Sequence, residues 1–164
     1  MDARTRYAST IAIFAVVLFL ALAIAASGII SLYTDREVLT EPDAGPLIAP
    51  TMFAVATSAL YTLLVTFGRR RGSLVVGALV TAVITYFFFL FSGSTLYSIG
   101  KGRPLLSLLF FGSNAVGPFA ITVAVIAFIV ALAFFLLLSY RDSGGAAHTP
   151  RWWWENRDDR DRKE

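Results

Sequence analysis

Hydrophobic positions in this chain form long uncharged runs, and every charge falls between the runs or at the ends. The first run, Tyr7 to Thr34, is rich in Ala, Ile, Leu and Phe. A helix of about 20 residues already crosses a hydrocarbon core about 30 Å thick, so this run predicts a membrane span over about residues 8–33. Leu47 to Phe67 predicts a second span over about 46–67, with Pro46 in the first turn, where its missing N–H is harmless. Ser73 to Ser92 predicts a third over about 73–92. Gly93, Gly100, Gly102 and Pro104 then mark a loop. The last run is uncharged from Pro104 to Tyr140 and would measure about 55 Å as one helix, nearly twice the hydrocarbon thickness. Gly112, Gly117 and Pro118 are placed to divide it. The division predicts a short interfacial or re-entrant segment over 105–111 and a fourth span over about 118–139.

The expected fold is therefore all-α: a polytopic membrane domain of four transmembrane helices over residues 1–140, followed by a flexible polar tail over 141–164. Composition agrees, since 57% of residues are hydrophobic and 15% charged, against about 25% charged in soluble domains. A cleaved signal peptide is the competing reading of the first run, because Ala23-Ile24-Ala25 resembles a small-residue cleavage site. Signal-peptide apolar regions are about 7–15 residues long, and this run is much longer.

Charge placement orients the spans. Arg69, Arg70 and Arg71 sit in the turn between the second and third spans, and such short basic loops stay in the cytoplasm. Arg4, Arg6 and the six basic residues of the tail join them, eleven of the fourteen in all. Arg36, Lys101 and Arg103 fall on the other side. Both termini are then cytoplasmic, and an even number of spans is required. The loop with Asp35, Glu37, Glu41 and Asp43 is outside. Its spacing fits no calcium loop, so a solvated connector is the plainer reading. Trp152, Trp153 and Trp154 suit contact with membrane headgroups or with a partner.

Helices in lipid associate through small residues and through hydroxyls that find partners. The second span carries Ala54, Ser58, Thr62 and Thr66, each four apart, and the third carries Ser73, Gly77, Thr81 and Thr85 at the same spacing. Each set forms a stripe on one helix side. Equal distance from the arginine turn matches Thr66 with Ser73, Thr62 with Gly77, Ser58 with Thr81 and Ala54 with Thr85, which predicts the tightest helix pair in the protein. The same hydroxyls could instead line a solute path. A fourth-span face of Ala120, Ala124, Ala127 and Ala131 could admit another helix.

Chemistry-bearing residues are scarce. The predicted spans contain no Asp, Glu, Lys, Arg or His, and the chain has no cysteine and one histidine, His148, in the tail. Thiolate and histidine metal sites, thiol redox chemistry and a serine activated by a neighbouring base have no residues to build them within the spans. No catalytic, metal or cofactor site is expected. The drug exporters and quinone-linked oxidoreductases that share the span count lack their membrane glutamate or cysteines here.

Ser31-Leu32-Tyr33-Thr34-Asp35, Pro42-Asp43-Ala44-Gly45-Pro46 and the basic tail make the chain resemble the small, uncharacterised four-span membrane proteins of actinobacteria. That resemblance implies a bacterial cytoplasmic membrane and no particular activity, and the Arg-for-Lys bias fits a GC-rich genome. The expected partners are the lipid bilayer and either a membrane-protein partner or further copies of the chain, with no nucleic acid. An accessory or scaffolding role leads. The alternatives are an oligomeric channel or small-solute conduit lined by Ser58, Thr62, Thr81 and Thr85, and an envelope sensor relaying through the tryptophan tail.

Overall fold

The computed structural model describes residues 3–34, 47–69, 73–102 and 105–140. They form five helices: α1 (Ala3–Thr34), α2 (Ile48–Gly68), α3 (Leu74–Lys101), α4 (Leu105–Ala115) and α5 (Pro118–Tyr140), and no strand is found among the described residues. Four of them, α1, α2, α3 and α5, are long and apolar enough to cross a membrane.

These four stand at the corners of a bundle. α1 and α3 occupy opposite corners, each packed against both α2 and α5, while α2 and α5 meet more sparingly across the other diagonal. Each helix turns one apolar face inward. On α1 it is Ala8, Ala12, Phe19 and Ala23, on α2 Met52, Phe53, Ala56, Leu60 and Leu64, and on α5 Val123, Ala127, Val130, Ala131 and Phe134. The spacing of three and four residues is that of one helical stripe. Large apolar side chains such as Phe14, Val17, Phe91 and Ile129 cover the outside. In water that surface would be a severe liability, whereas in lipid it is ordinary solvent contact.

α3 is longer than the 73–92 span read from the sequence. It runs through Gly93 and ends at Lys101, where Gly102 adopts a left-handed conformation (φ 63°, ψ 21°) and donates its N–H to Ile99. The glycine loop signal at 93 is overridden by packing. A Cβ there would stand 2.5 Å from Met52 Sδ and 2.9 Å from Phe110 Cε1, so the missing side chain is the space in which α2 and α4 approach α3.

The apolar run after Pro104 does divide. α4 ends at Ala115, and α5 begins at Pro118 with Ile121 N–H bonded back to Gly117. α4 runs antiparallel to the C-terminal half of α3. Phe110 rests on Tyr97 (centroids 5.1 Å apart), Phe111 stacks on Phe87 (6.4 Å), and Ala115 meets Tyr86.

One expectation about packing is corrected. The most extensive helix pair is α3 with α5, ahead of the α2–α3 hairpin. Within the hairpin, equal distance from the turn would match Phe53 with residue 86, yet Phe53 packs on Phe89, with ring centroids 5.3 Å apart. Each ring leans toward the N-terminus of its own helix, so in this antiparallel pair the two meet across that three-residue offset.

Candidate functional site

Hydroxyl-bearing residues fall into two groups that differ in what their oxygen does. Facing outward, Ser58 donates to the Ala54 carbonyl (2.8 Å), Thr62 to Ser58 (2.9 Å) and Thr66 to Thr62 (2.7 Å). Thr34, Thr51, Thr95 and Thr122 do the same one turn back on their own helices. A hydroxyl satisfied this way presents lipid with its methyl or methylene and hides its polarity.

The second group faces inward. Thr81 and Thr85 are fully buried, and the Oγ1 atoms of Thr57, Thr81 and Thr85 have no hydrogen-bond partner. Each unmade hydroxyl bond in a dry interior costs about 1–3 kcal/mol. Thr57 belongs to neither small-residue stripe of the sequence, although its place between Phe53 and Leu60 on the buried side of α2 is a readable signal.

The two stripes expected to face each other therefore do not. Ala54, Ser58, Thr62 and Thr66 of α2 are exposed. On α3, Ser73 is exposed, Gly77 is half-buried, and Thr81 and Thr85 are buried. A Cβ on Gly77 would meet the Phe135 ring at 3.4 Å, which points this stripe toward α5. Counting antiparallel from Gly77 and Phe135, Thr81 comes level with Ala131 and Thr85 with Ala127, both fully buried. Small residues thus permit close approach as expected, but the partners are α3 and α5. Since Ser58 and Thr62 lie outside the bundle and Thr81 and Thr85 inside it, these four hydroxyls line no common path within one chain.

The outward stripe of α2 borders a groove of about 480 Å³ that opens to the side of the bundle, lined by Ala54, Val55, Ser58, Ala59, Thr62, Leu63 and, from α3, Phe88. Its polar atoms are already engaged within α2, so the groove offers shape and apolar surface with no free donor from Ser58 or Thr62.

A third polar feature sits at the break between α4 and α5. Tyr86 donates its phenolic hydrogen to the Ala115 carbonyl at 2.6 Å. Asn114, buried beside it, donates through Nδ2 to the Phe110 carbonyl at 3.0 Å and to Ser113 Oγ at 3.2 Å. Gly117 N–H returns to the Asn114 carbonyl at 3.1 Å. The glycines and proline of the sequence point to a break here, but nothing in it signals that Tyr86 spans the break. The other aromatics of that stretch divide, with Phe89 filling the core and Phe87, Phe88 and Phe91 facing outward.

Arg69 is the residue that ends α2, exposed, with its backbone N–H on the Phe67 carbonyl. Arg70, Arg71, the acidic loop from Asp35 to Asp43, His148 and Trp152 to Trp154 lie outside the described residues. Among the described residues, no group of His, Asp or Glu is placed to hold a metal ion.

No curated protein and no solved structure matches the chain. A family model does match, over residues 1–162, and it describes a family of unknown function, DUF6121. Because that match spans nearly the whole sequence, loops and tail included with the four membrane-length helices, the chain belongs to the DUF6121 family.

Proposed function

We propose that the protein is a non-enzymatic component of a bacterial cytoplasmic membrane, an accessory or scaffolding subunit that packs α2 beside a helix of another membrane protein. The outward stripe of α2 carries this reading. Ala54, Ser58 and Thr62 are exposed, small and already hydrogen-bonded where they bear hydroxyls, and they border a lateral groove completed by Phe88. Small faces of this kind let two backbones approach closely in lipid, where van der Waals contact drives association. Charge distribution supports both termini on the cytoplasmic side, with eleven of fourteen basic residues placed there by four crossings.

A photo-crosslinking residue at Ser58, compared with one at the lipid-facing Ile129, tests the reading in native membranes. A single protein adduct at fixed stoichiometry from Ser58 alone is expected, and mass spectrometry then identifies the partner. Equal, diffuse adducts from both positions overturn the accessory reading. An adduct made only of the chain itself replaces it with self-association.

A further inference from the structure

Seven exposed serine and threonine hydroxyls bond to carbonyls of their own helices, while the buried oxygens of Thr57, Thr81 and Thr85 bond to nothing. The contrast is the reverse of what lipid alone would select. A threonine in a helix can always turn its hydroxyl onto the carbonyl one turn back, and for Thr81 and Thr85 those carbonyls belong to Gly77 and Thr81. Instead both oxygens lie in the interior of the bundle, at residues with no solvent exposure.

These hydroxyls span two adjacent helical turns. Counting along the hairpin from the packed pair Phe53 and Phe89, Thr57 comes level with Thr85. Counting from Gly77 and Phe135, Thr81 and Thr85 come level with Ala131 and Ala127 of α5. Bulk closes the layer on both sides. Phe53 and Phe89 lie toward the α4 end, and Phe134 packs edge-on to Phe135 toward the other. Between them the buried residues are Ala56, Ala78, Ala82, Ala127 and Ala131, with Leu60 and Val130 beside them. Three unpartnered hydroxyls from two helices supply the 2–4 polar partners that an internal water requires.

We infer that Thr57, Thr81 and Thr85 form an internal hydration site at mid-depth of the bundle, in which an ordered water accepts from and donates to the threonine hydroxyls. The site does not depend on α2 docking to any partner. It gives a bundle without a charged residue in its described core one polar centre, held between two aromatic layers.

Isosteric substitution separates this from a dry interior. The full chain in lipid nanodiscs is compared with Thr81→Val, Thr85→Val and Thr81→Ser. Magnetisation transfer from water to the threonine methyl groups is the first readout. The native chain is expected to show transfer at both Thr81 and Thr85, Thr81→Val to lose it at the unchanged Thr85, and Thr81→Ser to retain it there. Thermal midpoints are the second. Each Val substitution is expected to lower the midpoint by about 2–4 °C, and the double substitution to lower it by less than the sum, because the water is already gone. Absence of transfer in the native chain overturns the site. So does a midpoint that rises additively with each Val, which is the behaviour of idle hydroxyls replaced by apolar isosteres.

Discussion

Tyr86 and Ala115, twenty-nine positions apart, are joined by a 2.6 Å hydrogen bond from the tyrosine hydroxyl to the last carbonyl of α4. The end of a helix leaves carbonyls without intrahelical partners. Tyr86 supplies one from a neighbouring helix. It fixes where α4 stops and where Gly117 and Pro118 turn the chain into α5.

Tyr86→Phe is therefore expected to cost about 1–2 kcal/mol, since it removes the donor and leaves a part-buried carbonyl without this partner. Unfolding in detergent measures the loss. Amide exchange should rise first around residues 115–118, and an unchanged exchange rate there would show that the bond does not hold the break.

At Gly93 the Met52 side chain of α2 and the Phe110 ring of α4 both reach the backbone of α3. Gly93→Leu is expected to destabilise by about 1–3 kcal/mol through overpacking against Met52 and Phe110. Gly93→Ala asks less, because the nearest atoms belong to the flexible end of Met52. Combining it with Met52→Ala should then recover more stability than additivity allows, and a strictly additive double mutant would separate the two residues.

On α2 the expectation is the opposite. Ser58→Ala and Thr62→Val change exposed, self-bonded residues and should shift stability by no more than about 0.5 kcal/mol. Thr62→Trp, which fills the lateral groove, should leave the fold equally stable while abolishing the Ser58 adduct. Loss of folding by Thr62→Trp would show that the stripe serves the bundle itself.

Gly102 ends α3 with φ 63°, and a Cβ at this position would meet nothing within 4 Å, so the role of the glycine is backbone conformation alone. Gly102→Ala should cost about 1 kcal/mol, and Gly102→Asn, which tolerates that conformation, clearly less. Equal losses from Ala and Asn would point to a contact and not to the backbone.

Because the chain has no cysteine, single cysteines report its orientation without background. Thr40→Cys is expected to react with a membrane-impermeant maleimide in intact cells, and Ser143→Cys only after permeabilisation. The reverse pattern would invert the proposed topology.

Fold class and span count were legible because an uncharged run of about 20 residues has few other stable fates. The division after Ala115 was legible too, from Gly117 and Pro118. Helix pairing was not. Stripes of small residues at helical spacing lie on α2, α3 and α5, and periodicity names a face without naming its neighbour. Thr81, Thr85, Ala127 and Ala131 are inside because α3 and α5 pack there, while Ser58 and Thr62, equally small and equally spaced, are outside. Gly93 misled for a related reason: a glycine that breaks a helix in water can mark close helix contact in lipid.

The unequal lengths of the helices carry a further consequence. α2 and α5 have 21 and 23 residues, about 32 and 35 Å. α3 has 28, about 42 Å. Matched to a bilayer by its short members, the bundle leaves α3 overhanging by roughly 10 Å, at the end where α4 lies against it. Bilayer thickness is then a variable to which this fold responds: a thin membrane leaves the α3–α4 pair standing above the surface, and a thick one draws it into the hydrocarbon.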